Sequence, residues 1–288
     1  MTAEADMQIR RVLMTGDAVG GVWTFALELA AHGVEVVLAT PGGIPSADQV
    51  AEVKAMPNVC LPGSDYKLEW MEDSWRDVEE SGRWLLRQER EYNPDLVHLN
   101  SFGHGALPWS APAVLTAHSC VLSWWGANKD EARNVAAVAR AAPGSSWPVC
   151  VAGDSAGSEM QNCYMPGRLS ASALSEWQAR AAICAAPARY KPFGLSILEA
   201  GLSSCALVPG DIPSLRDIWG DAALYAPPGD VNALEKTLEL LIADEDLRER
   251  MSRRARRRSL TFDVTRMTLG YLDAYKTVVA ARAGQCVS

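Results

Sequence analysis

Apolar residues in the first half of the chain form short continuous runs, separated by stretches in which they recur every three or four positions. Such runs predict buried strands, and the longer spacing predicts amphipathic helices. The predicted strands cover residues 11–16, 35–40, 58–62, 95–100 and 113–119, and the predicted helices cover 21–31 and 71–92. This alternation indicates a parallel sheet with helices on both faces.

The same alternation continues in the second half. Predicted strands cover 147–153, 182–187, 205–210 and 223–227, and predicted helices cover 134–142, 170–182, 194–203, 214–219, 231–260 and 264–281. We therefore predict an α/β fold with two Rossmann-like parallel-sheet domains, at residues 1–125 and 126–262. A C-terminal helix, 263–288, can pack back on the first domain. Ligands of such sheets bind outside the carboxyl ends of the strands, which here would face a cleft between the domains.

Composition narrows the function classes. Apolar residues make up 48% of the 288 positions, enough for a core, and no run approaches the roughly 18 residues that span a bilayer. The 27 basic residues against 35 acidic ones give a net charge of −8, which argues against nucleic acid as the partner. Seven cysteines without a CxxC pair, and an N-terminus without an apolar leader region, favour a cytoplasmic protein with reduced thiols.

A glycine-containing turn, GDAVGGVW (residues 16–23), follows the first predicted strand and opens the first predicted helix. Glycine lets a ligand approach the backbone, and the free N–H groups of a helix N-terminus bind anions. Close packing of the turn explains the same glycines equally well. The spacing is not GxGxxG, so a nicotinamide cofactor is disfavoured.

A second candidate is ARYKPFGLSILEAG (residues 188–201), in which Pro192 ends one element and Gly194 begins a helix. The N–H groups of Gly194, Leu195 and Ser196 would form another anion-binding helix start. This stretch therefore predicts a phosphate-binding turn at the end of a strand.

Two charged residues flank this turn. Glu199 lies about one turn inside the helix, where its carboxylate could accept two ribose hydroxyls. As an alternative, it only favours the positive end of the helix dipole. Lys191 opposes the same dipole, so we expect either a phosphate beside it or a side chain that points to water.

The four histidines divide by their positions in the predicted elements. His32 falls at a helix end, and His98 falls inside a strand, where a core role is expected. His104 and His118 fall at or beyond strand ends, where ligands bind, so a binding role and a structural role are both open.

Two charged clusters are assigned to solvated helix faces. Asp244, Glu245 and Asp246 have the spacing of metal ligands but lie in a polar helical segment, so no metal is expected there. For the basic run RRARRR at 253–258, the alternative to a solvated face is a surface that contacts anionic lipid or a phosphorylated partner.

Several stretches carry a family resemblance: GDAVGGVWTFALELA, YKLEWMEDSW, DLVHLNSFGHGALPW and AHSCVLSWW in the first half, and VCVAGD and PARYKPFGLSILEAGLSSCALVPGDIPSLRDIWGDAALYAPPGD in the second. Through them, most of the chain resembles the retaining family-four glycosyltransferases of the GT-B fold. The resemblance implies transfer of a sugar from a nucleotide-diphosphate sugar to an acceptor, with retention. It also implies that neither a metal nor a cofactor is needed.

The resemblance further implies roles for individual residues. It assigns a diphosphate or acceptor-side contact to Gly20 and Gly21, a donor-sugar contact to His118, a diphosphate contact to Arg133, backbone contacts to Phe193, Gly194 and Leu195, and a ribose contact to Glu199. Ser196 joins the donor-binding set through its amide at the helix start. We count His118, Lys191 and Glu199 as catalytic-site residues and place Trp23 and His104 on the acceptor side.

Three departures from the family pattern bear on activity. Lys191 stands where the family has a glutamate that contacts the donor sugar, and Ala127 stands where it has an arginine. Arg133 can replace the diphosphate-binding lysine of the family. Between Trp125 and Gly126, two or three strand–helix–strand units, about 60–90 residues, are missing, so each domain is expected to be incomplete relative to the family.

We therefore expect an active, hexosyltransferase-like enzyme whose partners are a nucleotide sugar and an unidentified acceptor. The alternative is a non-catalytic relative that binds a nucleotide or a partner protein. A sugar-nucleotide epimerase or a nicotinamide oxidoreductase comes third, because the matching stretches are those of transferases. Weak contact with a membrane surface and self-association both stay open, since missing strands would expose unpaired sheet edges.

Overall fold

The computed structural model describes residues 8–16, 21–43, 45–116, 138, 147–152, 163–167 and 169–285. The chain divides into two compact units. Unit 1 consists of Met1–Val121 and Asp263–Ser288, and unit 2 consists of Leu122–Phe262. The last segment of the chain therefore belongs to the same unit as the first.

Unit 1 contains, within its described residues, a five-stranded parallel sheet with the order β3-β2-β1-β4-β5. The strands are β1 (Arg11–Thr15), β2 (Glu35–Ala39), β3 (Val59–Cys60), β4 (Leu96–Leu99) and β5 (Ala113–Leu115). In the centre of the sheet, Val12 of β1 lies opposite Val36 of β2 and Leu96 of β4. These central strands are buried on both faces, which is why they read as continuous apolar runs rather than as alternating ones.

The described helices of unit 1 are α1 (Gly21–Ala31), α2 (Ala47–Lys54), α3 (Trp75–Tyr92) and the last helix of the chain, α9 (Val264–Gln285). α2 begins with a capping box, in which the side chains of Ser46 and Gln49 each accept the other's backbone N–H. α3 ends at Asn93, whose φ of 44° gives the left-handed conformation that closes many helices.

The sheet of unit 1 has a core on each face. On one face Phe25 and Leu29 of α1 and Tyr275 of α9 pack in one buried cluster. On the other face Leu85 of α3 packs with Trp109 in a second cluster. The C-terminal helix is thus part of the hydrophobic core of unit 1.

His98 of β4 is a satisfied core histidine, as its position in a strand predicted. It is fully buried. Its Nδ1 lies 2.6 Å from the Tyr275 hydroxyl, and its Nε2 lies 2.7 Å from Thr116 Oγ1. These contacts join β4 to α9 and to the residue that follows β5.

Unit 2 is built, in its described part, from two pairs of parallel strands and the helices around them. The strands are β6 (Val149–Ala152) with β7 (Cys163–Gly167), and β8 (Ile183–Ala186) with β9 (Ala206–Pro209). The helices are α4 (Ala171–Arg180), α5 (Leu195–Leu202), α6 (Pro213–Trp219), α7 (Val231–Ala243) and α8 (Glu245–Ser259). β9 is wholly buried between two apolar clusters, one containing Trp219 of α6 and the other Leu234 of α7.

α5 and α8 pack closely enough to require a glycine. A Cβ at Gly201 of α5 would collide with the hydroxyl of Ser259 of α8 and would lie 3.4 Å from the Trp219 ring. This contact fixes α5 against the core of unit 2, and α5 carries Leu195, Ser196 and Glu199 of the predicted donor-binding residues.

The structure confirms an α/β fold with parallel sheets, but several elements differ from the sequence prediction. α2 and β7 were not predicted, and the predicted strand at 223–227 is a single bridge between Ala226 and Gly210. The predicted helix at 231–260 is two helices, because Asp244 ends α7 and its carboxylate accepts the Leu247 N–H to cap α8. The predicted boundary at 125/126, and all but one residue of the predicted helix at 134–142, lie outside the described residues.

Within the described part of the chain, no helix combines the length and the apolar character needed to cross a bilayer.

Candidate functional site

The turn before α5 and the start of α5 bring together the described donor-binding residues predicted in unit 2. Gly194 has φ of 86° and ψ of 69°, a left-handed conformation that residues with a Cβ rarely adopt. A Cβ at this position would also lie 3.0 Å from Ile197 Cδ1 and 3.3 Å from Lys191 Cγ. The turn into α5 therefore requires glycine.

α5 buries one face and exposes the other. Ile197 and Ala200 are buried, whereas Leu195 is 53% exposed and Ser196 and Glu199 are exposed as well. The first-turn N–H groups of a helix have no carbonyl within the helix to bond. Residues three and four apart share a helix face, so Glu199 stands on the same side as Leu195 and Ser196. The exposed face thus combines helix-start donors with one carboxylate.

The chain that leads into α5 is held by a side chain from α6. Ser214 Oγ donates a hydrogen bond of 2.8 Å to the backbone carbonyl of Lys191. The Lys191 side chain is partly exposed. Among the described residues, no carboxylate forms an ion pair with it. The ammonium group is therefore placed to meet a bound anion or water.

A further side-chain contact fixes the first turn of α5. Gln178 Nε2, near the end of α4, donates a hydrogen bond of 3.3 Å to the Ser196 carbonyl. α4 and α6 thus support α5 and the chain before it.

Phe193 packs the turn before α5 against a second aromatic ring. Its ring packs edge-on against Phe262, with the centroids 5.3 Å apart and the planes at 83°. Arg258 Cζ lies 5.1 Å from the centre of the Phe262 ring, and Arg258 Nε donates to the Ile218 carbonyl at 2.6 Å. Phe262 was not predicted as a support for this turn, because nothing in the local sequence pattern joins two aromatic residues so far apart in the chain.

The basic run at 253–258 lies mainly on a solvated helix face, as the sequence predicted, but some of its arginines also contact neighbouring elements. Arg256 donates to the Leu202 carbonyl at the end of α5. Arg254 lies 3.5 Å from the Asp221 carboxylate. Cations are favoured at helix C-termini, where carbonyl groups lack intrahelical partners, so part of this run serves the packing of unit 2. Fewer of its charges remain for an anionic partner.

Trp23 is buried in the core of unit 1, which corrects its expected acceptor-side role. It is 5% exposed, and its Nε1 donates a hydrogen bond of 3.0 Å to Glu52 of α2. α1 is apolar on more than one side, so the pattern gave no means of telling a core tryptophan from a surface one.

His104 is also buried, behind α3, rather than at an open strand end. Its Nε2 lies 3.0 Å from Ser81 Oγ and 3.1 Å from the Val78 carbonyl, whereas its Nδ1 has no hydrogen-bond partner. Burial lowers the pKa of His104 below its ordinary value of 6.5. The expected acceptor-side role of His104 is therefore replaced by a structural one.

The other predicted site residues fall in two groups. Gly21 is the first residue of α1 and is exposed. Gly20, His118, Arg133 and Ala127 lie outside the described residues, so their predicted roles stay predictions.

The acidic triplet that begins at Asp244 caps a helix instead of forming a ligand cluster. Across the described ranges, no group of three or more His, Cys, Asp or Glu side chains is arranged to hold a metal ion.

Two family models match the chain. The model named Glycosyltransferase Family 4 matches residues 19–156, and the model named Glycosyl transferases group 1 matches residues 147–258. Of the curated proteins, O-antigen chain mannosyltransferase B of Escherichia coli is 33% identical over 90 residues, which are 31% of this chain and 24% of that protein. The chain therefore matches less than a quarter of that relative's length.

Solved structures share the fold over nearly the whole chain. Sucrose-phosphate synthase from Thermosynechococcus elongatus superposes with a TM-score of 0.71 at 14% identity, over 94% of this chain and 100% of that one. The Anabaena protein HepE in complex with UDP-glucose superposes with a TM-score of 0.63 at 12% identity, over 92% of this chain and 99% of that one. At such low identities the likeness concerns the fold alone.

Parallel sheets in two units, together with these neighbours, define the GT-B class of fold. Within that class, the two matching models extend from residue 19 to residue 258. Over that range the chain is similar to glycosyltransferases of family four.

Proposed function

We propose that the protein transfers a sugar from a nucleotide-diphosphate sugar to an acceptor hydroxyl, with retention of configuration and without a metal ion. The observation that carries the proposal is the start of α5. There the left-handed turn at Gly194 leads into a helix whose first residues, Leu195 and Ser196, share one exposed face with Glu199. Helix-start amides suit phosphates, and a carboxylate suits the paired hydroxyls of a ribose.

The groups of this surface fit the charge changes of the reaction. As the bond from the anomeric carbon to the diphosphate breaks, negative charge grows on the diphosphate, where the start of α5 and Lys191 would stabilise it. The acceptor oxygen forms the new bond to the anomeric carbon, and its proton passes to the leaving diphosphate. By the family resemblance, Arg133 would add a diphosphate contact and His118 a contact with the donor sugar.

Structural neighbours support a nucleotide sugar as the donor. The Anabaena protein HepE has been solved in complex with UDP, with UDP and glucose, and with UDP-glucose. The E. coli relative is named a mannosyltransferase. These names support the donor class proposed for this chain and leave the base and the sugar to experiment.

A thermal-shift screen with UDP, GDP and ADP, followed by the nucleotide sugars of the best base, tests the proposal. We expect one nucleoside diphosphate to raise the melting temperature of the wild type. Glu199→Ala should weaken its affinity about 10- to 100-fold, the equivalent of one charge-assisted interaction. The matched control is Glu239→Ala, which removes an exposed carboxylate from the middle of α7.

Equal binding by wild type and both variants would remove Glu199 from the site. If no nucleoside diphosphate shifts the melting temperature of the wild type, the donor site itself is wrong.

A second candidate function is a protein that binds the nucleotide without turning it over. The observation that favours it is Lys191, a cation beside the donor turn where the family pattern has a carboxylate. Incubation with the best nucleotide sugar separates the two functions. Release of free nucleotide or of glycosylated product establishes the transferase, whereas binding without release of either supports the second candidate.

A further inference from the structure

The strand order of unit 1 indicates a ligand site at the carboxyl ends of its central strands. The order β3-β2-β1-β4-β5 reverses direction between β1 and β4. In open parallel sheets, ligands bind outside the carboxyl ends of the strands at such a reversal point. The loop that follows β4 stands at this edge and contains Phe102.

Glu69 joins the connection between β3 and α3 to the loop that follows β4. Its Oε1 accepts the Phe102 N–H at 3.3 Å, and its Oε2 accepts the Gly103 N–H at 2.6 Å. Its own backbone carbonyl accepts a hydrogen bond of 3.3 Å from Ser74 Oγ. The long connection between β3 and α3 is therefore fastened to the loop after β4 through one carboxylate.

Three large aromatic residues that neighbour these hydrogen-bonded positions in sequence are exposed. Trp70 follows Glu69, Trp75 follows Ser74, and Phe102 donates its amide to Glu69. Their exposed fractions are 37%, 69% and 47%. Single exposed apolar residues are ordinary, but three large aromatic ones on two segments that are hydrogen-bonded to each other favour an interaction surface. We call Trp70, Trp75 and Phe102 the aromatic patch.

The surroundings of the aromatic patch are acidic. Between residues 64 and 77 there are five acidic and two basic side chains. Glu72 and Asp73, which lie between the two tryptophans, are exposed. Asp73 has φ of 50°, a left-handed conformation that is uncommon outside glycine. Residues in such sparsely populated conformations cluster at functional sites.

We propose that the aromatic patch binds the acceptor, and that the acceptor is an uncharged saccharide. The ring faces of the patch pack against the apolar C–H face of a pyranose, and the carboxylates of Glu72 and Asp73 accept its hydroxyl protons. This proposal rests on the sugar-transfer function proposed above and adds the chemical class of the acceptor.

The charge of the loop decides between an uncharged saccharide and an anionic surface. Acidic side chains repel the headgroups of anionic lipids and the phosphates of charged acceptors, since like charges brought together cost free energy. Hydroxyl groups carry no such charge, and they are donors that carboxylates accept. Aromatic rings next to carboxylates therefore match an uncharged, hydroxyl-rich ligand.

An array of printed oligosaccharides probed with the fluorescently labelled full chain tests the proposal. It should hold uncharged gluco-, manno- and galacto-oligosaccharides beside sulfated and sialylated ones. We expect binding to an uncharged series, with the Kd of the best glycan then measured by calorimetry. Trp75→Ala and Phe102→Ala should each raise that Kd at least 10-fold, and Trp75→Tyr, which keeps a ring, should restore most of the affinity.

Trp177→Ala is the matched control, because Trp177 of unit 2 is 39% exposed and lies outside the patch. Its glycan affinity should equal that of the wild type. The proposal is overturned if the wild type binds no glycan, if it prefers the acidic ones, or if the patch variants bind as well as the control. Sedimentation of the wild type with phosphatidylglycerol vesicles that is lost in Trp75→Ala would make the patch a membrane contact and would also overturn it.

The nucleotide-induced thermal shift of each patch variant separates this proposal from the one on which it rests. A normal shift without glycan binding refutes the acceptor class alone. If no nucleoside diphosphate shifts the melting temperature of the wild type, the donor site is refuted.

Discussion

Lys191 and Glu199 bring opposite charges to the two sides of one glycine turn. The Glu199 carboxylate can only accept hydrogen bonds at neutral pH, and the Lys191 ammonium can only donate them. A hydroxyl-rich nucleotide sugar needs acceptors near its sugar, and a diphosphate needs cations. In the proposed function, Lys191 would therefore serve the diphosphate, and it could not accept a sugar hydroxyl.

Reversal of the charge at position 191 tests this reasoning. We expect Lys191→Glu to raise the rate of sugar transfer or donor hydrolysis, because the new carboxylate can accept a hydroxyl of the donor sugar. Release of nucleoside diphosphate from the best donor is the measurement. Lys236→Glu, the same change on an exposed lysine of α7, is the control and should leave the rate unchanged. A fall in a measurable wild-type rate would instead identify Lys191 as a cation adapted to the diphosphate.

His104 makes the stability of the protein depend on pH. Its pKa is lowered in the folded state, so below about pH 6.5 the unfolded chain takes up a proton that the folded chain does not. The free energy of unfolding should therefore fall as the pH drops below 6.5. Urea unfolding between pH 5 and 7.5 measures it, and His104→Gln should show a smaller fall over the same range. An identical pH dependence in both proteins would contradict the role of His104.

At the scale of elements, α8 and Phe262, the last residue of unit 2, pack against α5 and the turn that precedes it, which we call the donor turn. Gly201 lets α5 approach α8, and the Phe193 ring rests on Phe262. A helix of eight residues gains little stability from its own hydrogen bonds, so tertiary contacts must fix its direction. Phe262 is a positioning residue in this arrangement, since it touches the turn and not the proposed ligand.

Removal of the Phe262 ring tests that role. Phe262→Ala should lower the free energy of unfolding by up to about 3 kcal/mol and should also weaken binding of the nucleoside diphosphate. Phe262→Tyr keeps the edge-on ring contact and should restore the binding. Leu260→Ala, at a side chain that is 61% exposed, should change neither quantity. Loss of stability with unchanged nucleotide affinity would show that Phe262 supports the fold and not the donor turn.

Sequence patterns predicted the elements that have a clear local signal, such as an apolar run or a turn sequence. The central strands of unit 1 and the glycine start of α5 were predicted because runs of apolar residues and a Pro-Phe-Gly turn leave few alternatives. α2 was missed because its single buried residue, Val53, gives no apolar stripe, and a capping box alone marks its start. β7 is half-buried at four of its five positions and contains Pro166, so its sequence gives neither an apolar run nor an alternation and resembles a loop.

Individual side chains at the candidate site were harder to predict than the elements that carry them. The pattern placed Glu199 on α5, where its exposure agrees with a binding role. Trp23 and His104 were placed wrongly, because the burial of one polar or amphipathic side chain depends on partners remote in sequence. Glu52 satisfies the indole of Trp23, and Ser81 contacts the imidazole of His104.

On the scale of the whole molecule, the chain leaves unit 1, forms unit 2 and then returns to unit 1. The residues of the proposed donor site lie on and before α5 in unit 2, and the aromatic patch lies in unit 1. If the two proposals hold, the donor and acceptor specificities could vary separately, since among the described residues the cores of the two units share no side chain.

The return of the chain has a consequence for how the protein is made. Tyr275 belongs to the core of unit 1 and bonds His98, which lies 177 positions earlier. At a synthesis rate of about 5–20 residues per second, those positions take roughly 10–35 s to translate. During that time the apolar surface on Phe25 and Leu96 that α9 will cover stays exposed on the ribosome. The first strands to be made are therefore the last to have their core closed, and a nascent chain at this stage is the form of the protein most in need of a chaperone.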